Sequence, residues 1–225
     1  MNQLKGCHRH DVIKLLKNKK GNVGVELGVA EGIFSSRMVN SGFFSNFFGI
    51  DKYDDRHDVN EYKKALKQIG LFSDYSLLKM TFEEAYDLFD DESLDFIYID
   101  GYAHNGENGG TTIFEWSKKV KIGGVISGDD YHEVWPLVVG AVDEFVKLSG
   151  SSLHIATEVE DNSYSNYPSW AVIKQKETSH LCSPIALVKK GSKAKRPRIK
   201  VSTYIKVLVS NLLPKEFVDF LKKYL

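Results

Sequence analysis

Between residues 22 and 127, short runs of aliphatic, β-branched and aromatic residues alternate with longer stretches in which apolar positions recur every three or four residues. The short runs read as strands and the 3.6-residue periodicity as helices. Strands are predicted at 22–27, 46–50, 76–79, 94–99 and 124–127, the last two apolar enough to lie centrally in a sheet. Helices are predicted at 33–40, 59–69, 83–89, 111–120 and 135–148, with a further one near 11–17. The rhythm then changes, because 153–158 and 170–174 read as two strands joined by a polar Tyr- and Asn-rich connection. The expected fold is α/β, a doubly wound, Rossmann-like seven-stranded sheet closed by a terminal antiparallel hairpin.

Composition alters this picture mainly at the C-terminus. The net charge of zero conceals an asymmetry, since residues 189–225 hold 11 of the 30 basic residues and only two acids, Glu216 and Asp219. That tail carries +9 and leaves −9 on residues 1–188, which argues against nonspecific nucleic-acid binding by the main domain. The expected organisation is a domain over 1–188 and a basic linker with an amphipathic helical tail over 189–225, Pro214 dividing the tail into two short helices. Such a tail can lie on an anionic bilayer, dock on a partner enzyme, or pack on its own domain or a second copy in a homodimer. The sequence shows neither a signal-peptide run nor a bilayer-spanning stretch, so a cytoplasmic protein is expected, peripheral at most to the inner face of a membrane. Cys7 and Cys182 lack CxxC spacing and read as reduced, structural cysteines.

Candidate chemistry begins at Glu26-Leu27-Gly28-Val29-Ala30-Glu31-Gly32, a strand running into a small-residue turn at a helix start, where a ligand can approach the backbone. Glu26 and Glu31 bracket the turn and would repel a pyrophosphate, whereas a sulfonium cofactor without phosphate suits acids there. The plain alternative is a turn that only links strand to helix. Asp51 ends the next strand where a carboxylate can accept ribose hydroxyls, a geometry that serves NAD and S-adenosylmethionine alike. Thr81 and Phe82 follow the third strand, where an adenine ring would lie. Asp100 after the fourth strand and Asp129-Asp130 after the fifth put three acids at neighbouring strand ends, a set that a hard cation such as Mg²⁺ or Mn²⁺ would neutralise. The alternative for Asp129 and Asp130 is helix capping.

These motifs, Glu26 to Gly32, Gly49-Ile50-Asp51 and Asp95 to Gly101, resemble those of class I S-adenosylmethionine-dependent methyltransferases over about residues 21–174, closest to the metal-dependent macrocin-type sugar O-methyltransferases. Ala30 stands where the usual turn has its middle glycine. The resemblance implies a cofactor site at Glu26, Gly28, Ala30, Gly32, Asp51, Thr81, Phe82 and Asp100. It also implies metal ligands at Asp100, Asp129 and Asp130, and methyl transfer to a hydroxyl of a sugar or glycan intermediate. Proton acceptors are Asp100, His104 or His132, with His104 one residue later than the family's histidine. Tyr102, Tyr131, Trp135, Tyr164, Tyr167 and Trp170 are aromatic candidates for stacking on a sugar, or for packing. A nicotinamide-dependent sugar dehydrogenase or epimerase and a noncatalytic cofactor-binding adaptor are the rival functions.

Overall fold

In the computed structural model, which describes residues 2–54, 58–100, 106, 108–160 and 166–195, the alternation of the sequence becomes a sheet wound in two directions from its centre. The chain builds strands β1 (Asn2–Leu4), β2 (Asn22–Leu27), β3 (Phe44–Asp51), β4 (Tyr75–Lys79), β5 (Leu94–Ile99), β6 (Val120–Gly128), β7 (Leu153–Ala156) and β8 (Ser169–Ile173). Helices α1 (Ile33–Asn40), α2 (Val59–Ile69), α3 (Phe82–Tyr86), α4 (Thr111–Lys119), α5 (Pro136–Ser149) and α6 (Ile185–Lys195) connect or follow them, and a 3-10 helix covers Arg9–Leu15. The sheet order is β1-β7-β8-β6-β5-β2-β3-β4. Strands β2 to β6 are parallel, and β8 runs antiparallel to both β6 and β7.

Two corrections to the expected fold concern the N-terminus. The sheet has eight strands rather than seven, because Asn2–Leu4 adds in parallel to the edge strand β7. The predicted helix near 11–17 is a 3-10 helix over Arg9–Leu15 that buries Val12 and Ile13.

Alternation along β5 shows how the layers form. Ile97 and Ile99 face a core built with Phe114 of α4 and with Val138, Ala141, Val142 and Phe145 of α5. Those α5 positions follow the i, i+3, i+4, i+7 spacing of one helical face. Phe96 and Tyr98 face the opposite core, built with Phe34 and Met38 of α1 and Val12 of the 3-10 helix. Burying both faces requires the continuous apolar runs by which β5 and β6 are recognisable in the sequence.

At the C-terminal side, helix α6 carries the chain past residue 188 as far as Lys195. The first compact unit runs to Ser192. Within the first unit, the Ser183 hydroxyl donates to the Gly109 carbonyl, and a Cβ at Gly109 would collide with the backbone of Val188. Gly109 also has φ 67°, in the left-handed region that favours glycine. Gly109→Ala should destabilise the fold by about 2 kcal/mol or more through backbone strain and overpacking. A shift in urea midpoint checks this, and an unchanged midpoint would show that α6 is not docked there.

Candidate active site

Four parallel strands end at one level. The Gly28 N–H donates to the Ile50 carbonyl at 2.8 Å, the Asp100 N–H to Leu27 at 2.7 Å, and the Asp129 N–H to Ile99 at 3.1 Å. The exits of β2, β3, β5 and β6 are therefore laced together across the point where the strand order reverses, the crevice in which open α/β sheets bind ligands. Gly28, Asp51, Asp100 and Asp129 all stand along this edge.

The turn after β2 owes its shape to left-handed residues. Gly28, Ala30 and Gly32 have φ of 96°, 49° and 81°. Ala30 thus occupies, with a side chain, a conformation that glycine adopts at less cost. Asp51 holds the turn in place, with Oδ2 accepting the N–H groups of Val29 at 2.9 Å and Ala30 at 3.1 Å, and Oδ1 that of Tyr53 at 3.0 Å. The Tyr53 hydroxyl completes the clasp by donating to the Ala30 carbonyl at 2.8 Å. The sequence assigned Asp51 to ribose hydroxyls; its carboxylate also organises the turn, and Oδ1 has a second lone pair for a ligand.

The two acids that bracket the turn have different surroundings. Glu31 pairs with Lys64 at 2.6 Å. Glu26 is 1% exposed and accepts from the Ser35 hydroxyl, which lies 3.0 Å from the Tyr75 hydroxyl. Burial pushes the Glu26 carboxyl well above the usual range, Asp100 and Asp51 add repulsion, and Ser35 and Arg9 oppose it. Thr81 and Phe82 serve α3: the Thr81 hydroxyl accepts the Glu84 N–H in a capping box, and Phe82 is buried in the core.

On the other side of the crevice, the acids meet a cation that the sequence reading missed. Arg9, from the 3-10 helix, pairs through Nη2 with Asp100 and through Nη1 with Asp129 at 3.3 Å, with only 6% of its side chain exposed. Its guanidinium lies over the rings of Phe34 and Tyr98, 5.0 and 4.9 Å from their centroids. Asp129 accepts from the Ser169 hydroxyl at 2.8 Å, and that hydroxyl lies 2.9 Å from the Tyr98 hydroxyl. Burial disfavours the charge of Arg9, but Tyr98, Asp100 and Asp129 outweigh it and hold the guanidinium above its usual range. Burial pushes Asp129 up to about 7, with Asp100 and Asp130 adding repulsion while Arg9 and Ser169 pull it back.

This arrangement does not fit a divalent ion ligated by Asp100, Asp129 and Asp130. A guanidinium lies against the first two carboxylates, and among the described residues no group of three or more His, Cys, Asp or Glu side chains is gathered for a metal. Asp130 is nine-tenths buried and left-handed, with φ 62°. No sequence spacing could have shown this role for Arg9, and the available signal was indirect: acids at neighbouring strand ends need a counter-charge.

The remaining candidates divide. His132 is half-buried, its Nδ1 accepts the Val134 N–H at 3.3 Å, and its ring centroid is 5.0 Å from that of Tyr167. Tyr167 meets Trp135 edge-on at 6.1 Å, so these three rings form an aromatic corner after β6. The Tyr131 hydroxyl donates to Asp143 at 2.7 Å, and Trp170 is 1% exposed within the core. His104, Tyr102 and Tyr164 lie outside the described residues.

The burial of Glu26 generates a prediction whose sign is fixed by linkage. A carboxyl with a raised folded-state pKa binds protons more tightly folded than unfolded, so stability falls as pH rises above the unfolded value of about 4.3. Glu26→Gln should match the parent near pH 4 and exceed it increasingly towards pH 8. Urea midpoints across that range check this, and a gap that shrinks with rising pH would contradict it.

Comparison with known proteins agrees with this geometry. Residues 25–131, from within β2 to just past β6, match the model of a methyltransferase domain family. No curated protein matches the chain. Among solved structures, the fold is similar to a precorrin-6y C5,15-methyltransferase from Geobacter metallireducens, with 15% identity, TM-score 0.53, and coverage of 73% of this chain and 85% of that one. It is also similar to an O-methyltransferase from Bacillus cereus in complex with S-adenosylhomocysteine, with 18% identity, TM-score 0.54 and coverage of 73% and 80%. A SAM-dependent O-methyltransferase from Thermotoga maritima gives 14% identity, TM-score 0.53 and coverage of 74% and 64%. Residues 25–131 are thus similar to a methyltransferase domain, and the chain shares the fold of these solved structures.

Proposed function

We propose that the protein is an O-methyltransferase that moves a methyl group from S-adenosylmethionine to a hydroxyl of a small molecule, a sugar or glycan intermediate. The observation that carries this reading is the common level of the four strand exits, with a small-residue turn on one side and strand-end acids on the other. Gly28, Ala30 and Gly32 would admit the cofactor to the backbone, Asp51 would favour its hydroxyl groups, and Asp100 would face both halves of the crevice. Bound S-adenosylmethionine supplies an electrophilic methyl group on a positively charged sulfur. Attack by the hydroxyl oxygen forms the new C–O bond as the S–CH₃ bond breaks, leaving a neutral thioether and one proton to be removed. Asp100 and His132 are the described candidates for that proton, with His104 a third by sequence. The corner of His132, Trp135 and Tyr167 suits the apolar face of a sugar ring. Mg²⁺ or Mn²⁺, which the sequence suggested for Asp100, Asp129 and Asp130, has no step in this reading, because Arg9 already lies against two of the three acids.

S-adenosylhomocysteine should raise the melting temperature, by about 2.7 kcal/mol of added stability at 100 times its Kd. NAD should not, and Asp51→Ala should abolish most of the shift. No shift at saturating ligand would sink the cofactor reading. Formation of S-adenosylhomocysteine across a panel of sugar hydroxyls then identifies the acceptor.

No helix among the described residues is long and apolar enough to cross a membrane. The basic tail runs from Lys189 to Leu225, of which residues 196–225 lie outside those described, and we assign it to peripheral contact with an anionic surface, from its run of cations between Lys189 and Lys200 and the apolar positions that follow. A chain ending at Lys195 should keep its turnover on a soluble acceptor and lose salt-sensitive binding to anionic vesicles. Unchanged vesicle binding would exclude this role.

A further inference from the structure

The conflict between the expected metal site and the observed ion pairs has a chemical reading of its own. Two carboxylates at adjacent strand exits repel each other unless protonated or neutralised, and a dication is one way to hold both ionised. Here the neutralising charge belongs to the chain. Asp100 and Asp129 each meet a different terminal nitrogen of Arg9, whose guanidinium plane is set by the rings of Phe34 and Tyr98. Asp129 is set in turn by Ser169, within reach of Tyr98. The 3-10 helix that carries Arg9 is also anchored: the His8 N–H donates to Asp11 at 2.9 Å, the Glu158 N–H donates to the Cys7 carbonyl at 3.0 Å, and β1 pairs with β7.

We propose that Arg9 is a positioning residue that takes the place of a divalent cation in this site, so that methyl transfer proceeds without metal. The guanidinium cannot lose its proton at working pH, presents donors in a fixed plane, and supplies a fixed counter-charge that orients both carboxylates. It differs from a metal in one consequential respect. A metal binds the substrate oxygen directly and acidifies it, whereas an arginine leaves that oxygen to be oriented by hydrogen bonds and its proton to be taken by a carboxylate or histidine. The methyl-transfer reading underlies the rate effects expected of this residue, but the metal-binding consequence stands apart from it.

The test is calorimetric titration of Mn²⁺ into the full chain, alone and with saturating S-adenosylhomocysteine. The parent protein should bind Mn²⁺ no more tightly than about 1 mM, and its turnover should be unchanged by EDTA. Arg9→Met leaves the two acids without their cation and should tighten Mn²⁺ binding by roughly tenfold or more. It should also lower kcat by about 100-fold with little change in KM for S-adenosylmethionine, and Arg9→Lys should recover part of that loss. Micromolar Mn²⁺ binding by the parent chain, or EDTA-sensitive turnover, would overturn the proposal, as would a folded Arg9→Met variant with unaltered Mn²⁺ affinity. Should Arg9→Met fail to fold, the parent titration decides by itself. Failure of the methyl-transfer reading would appear instead as the absence of a thermal shift with S-adenosylhomocysteine, an outcome that the Mn²⁺ isotherm does not share.

Discussion

The contact between Arg9 and the carboxylates of Asp100 and Asp129 ties together parts of the molecule that the sheet alone would leave independent. Each partner is costly to bury alone, and removing one member of such a group costs about 3–5 kcal/mol because the others remain desolvated and unpaired. The arrangement is tolerable because the guanidinium meets carboxylates through both terminal nitrogens and aromatic rings across its faces, while a serine hydroxyl steadies the more buried acid. This polar group spans the 3-10 helix, α1, β5, β6 and β8. The edge of the sheet where chemistry is expected is consequently also where the fold depends most on charge.

The opposite side of the crevice is organised around the carboxylate of Asp51. Asp51 collects three backbone N–H groups, and the Tyr53 hydroxyl returns a hydrogen bond to the turn. Left-handed residues in the turn aim its amides toward Asp51, so the strain at Ala30 is compensated by bonds that a relaxed loop would not make. One half of the site is thus shaped by backbone geometry held by an acid, and the other by acids held by an arginine.

The sequence disclosed the parts of this design that repeat. Strands β2 and β5 and helices α1 and α2 were legible to the residue, because continuous apolar runs and 3.6-residue periodicity are local signals. Asp51, Asp100 and Asp129 were legible as strand-end acids for the same reason. The three residues of β1 carry no alternation, and their pairing with β7 is a long-range event. Lysine-rich composition hid the helix that begins at Ile185. Arg9 was illegible in another sense: its partner Asp100 lies 91 residues away, and nothing in His8-Arg9-His10 distinguishes a buried counter-ion from a surface charge. Thr81 and Phe82 were legible by their place after β4, where one side chain caps α3 and the other enters the core.

The pairing of β1 with β7 bears on the order in which a growing chain can become competent. Residues 2–4 are synthesised before the five central parallel strands, yet their hydrogen-bonding partners at 154–156 are made only after them. Until the terminal hairpin is present, the segment bearing Arg9 lacks this anchor, and an incomplete chain must carry Asp100 and Asp129 with their counter-charge unsecured. Vectorial synthesis therefore supplies the five parallel strands before it supplies the anchor of the residue that neutralises the acids at their exits.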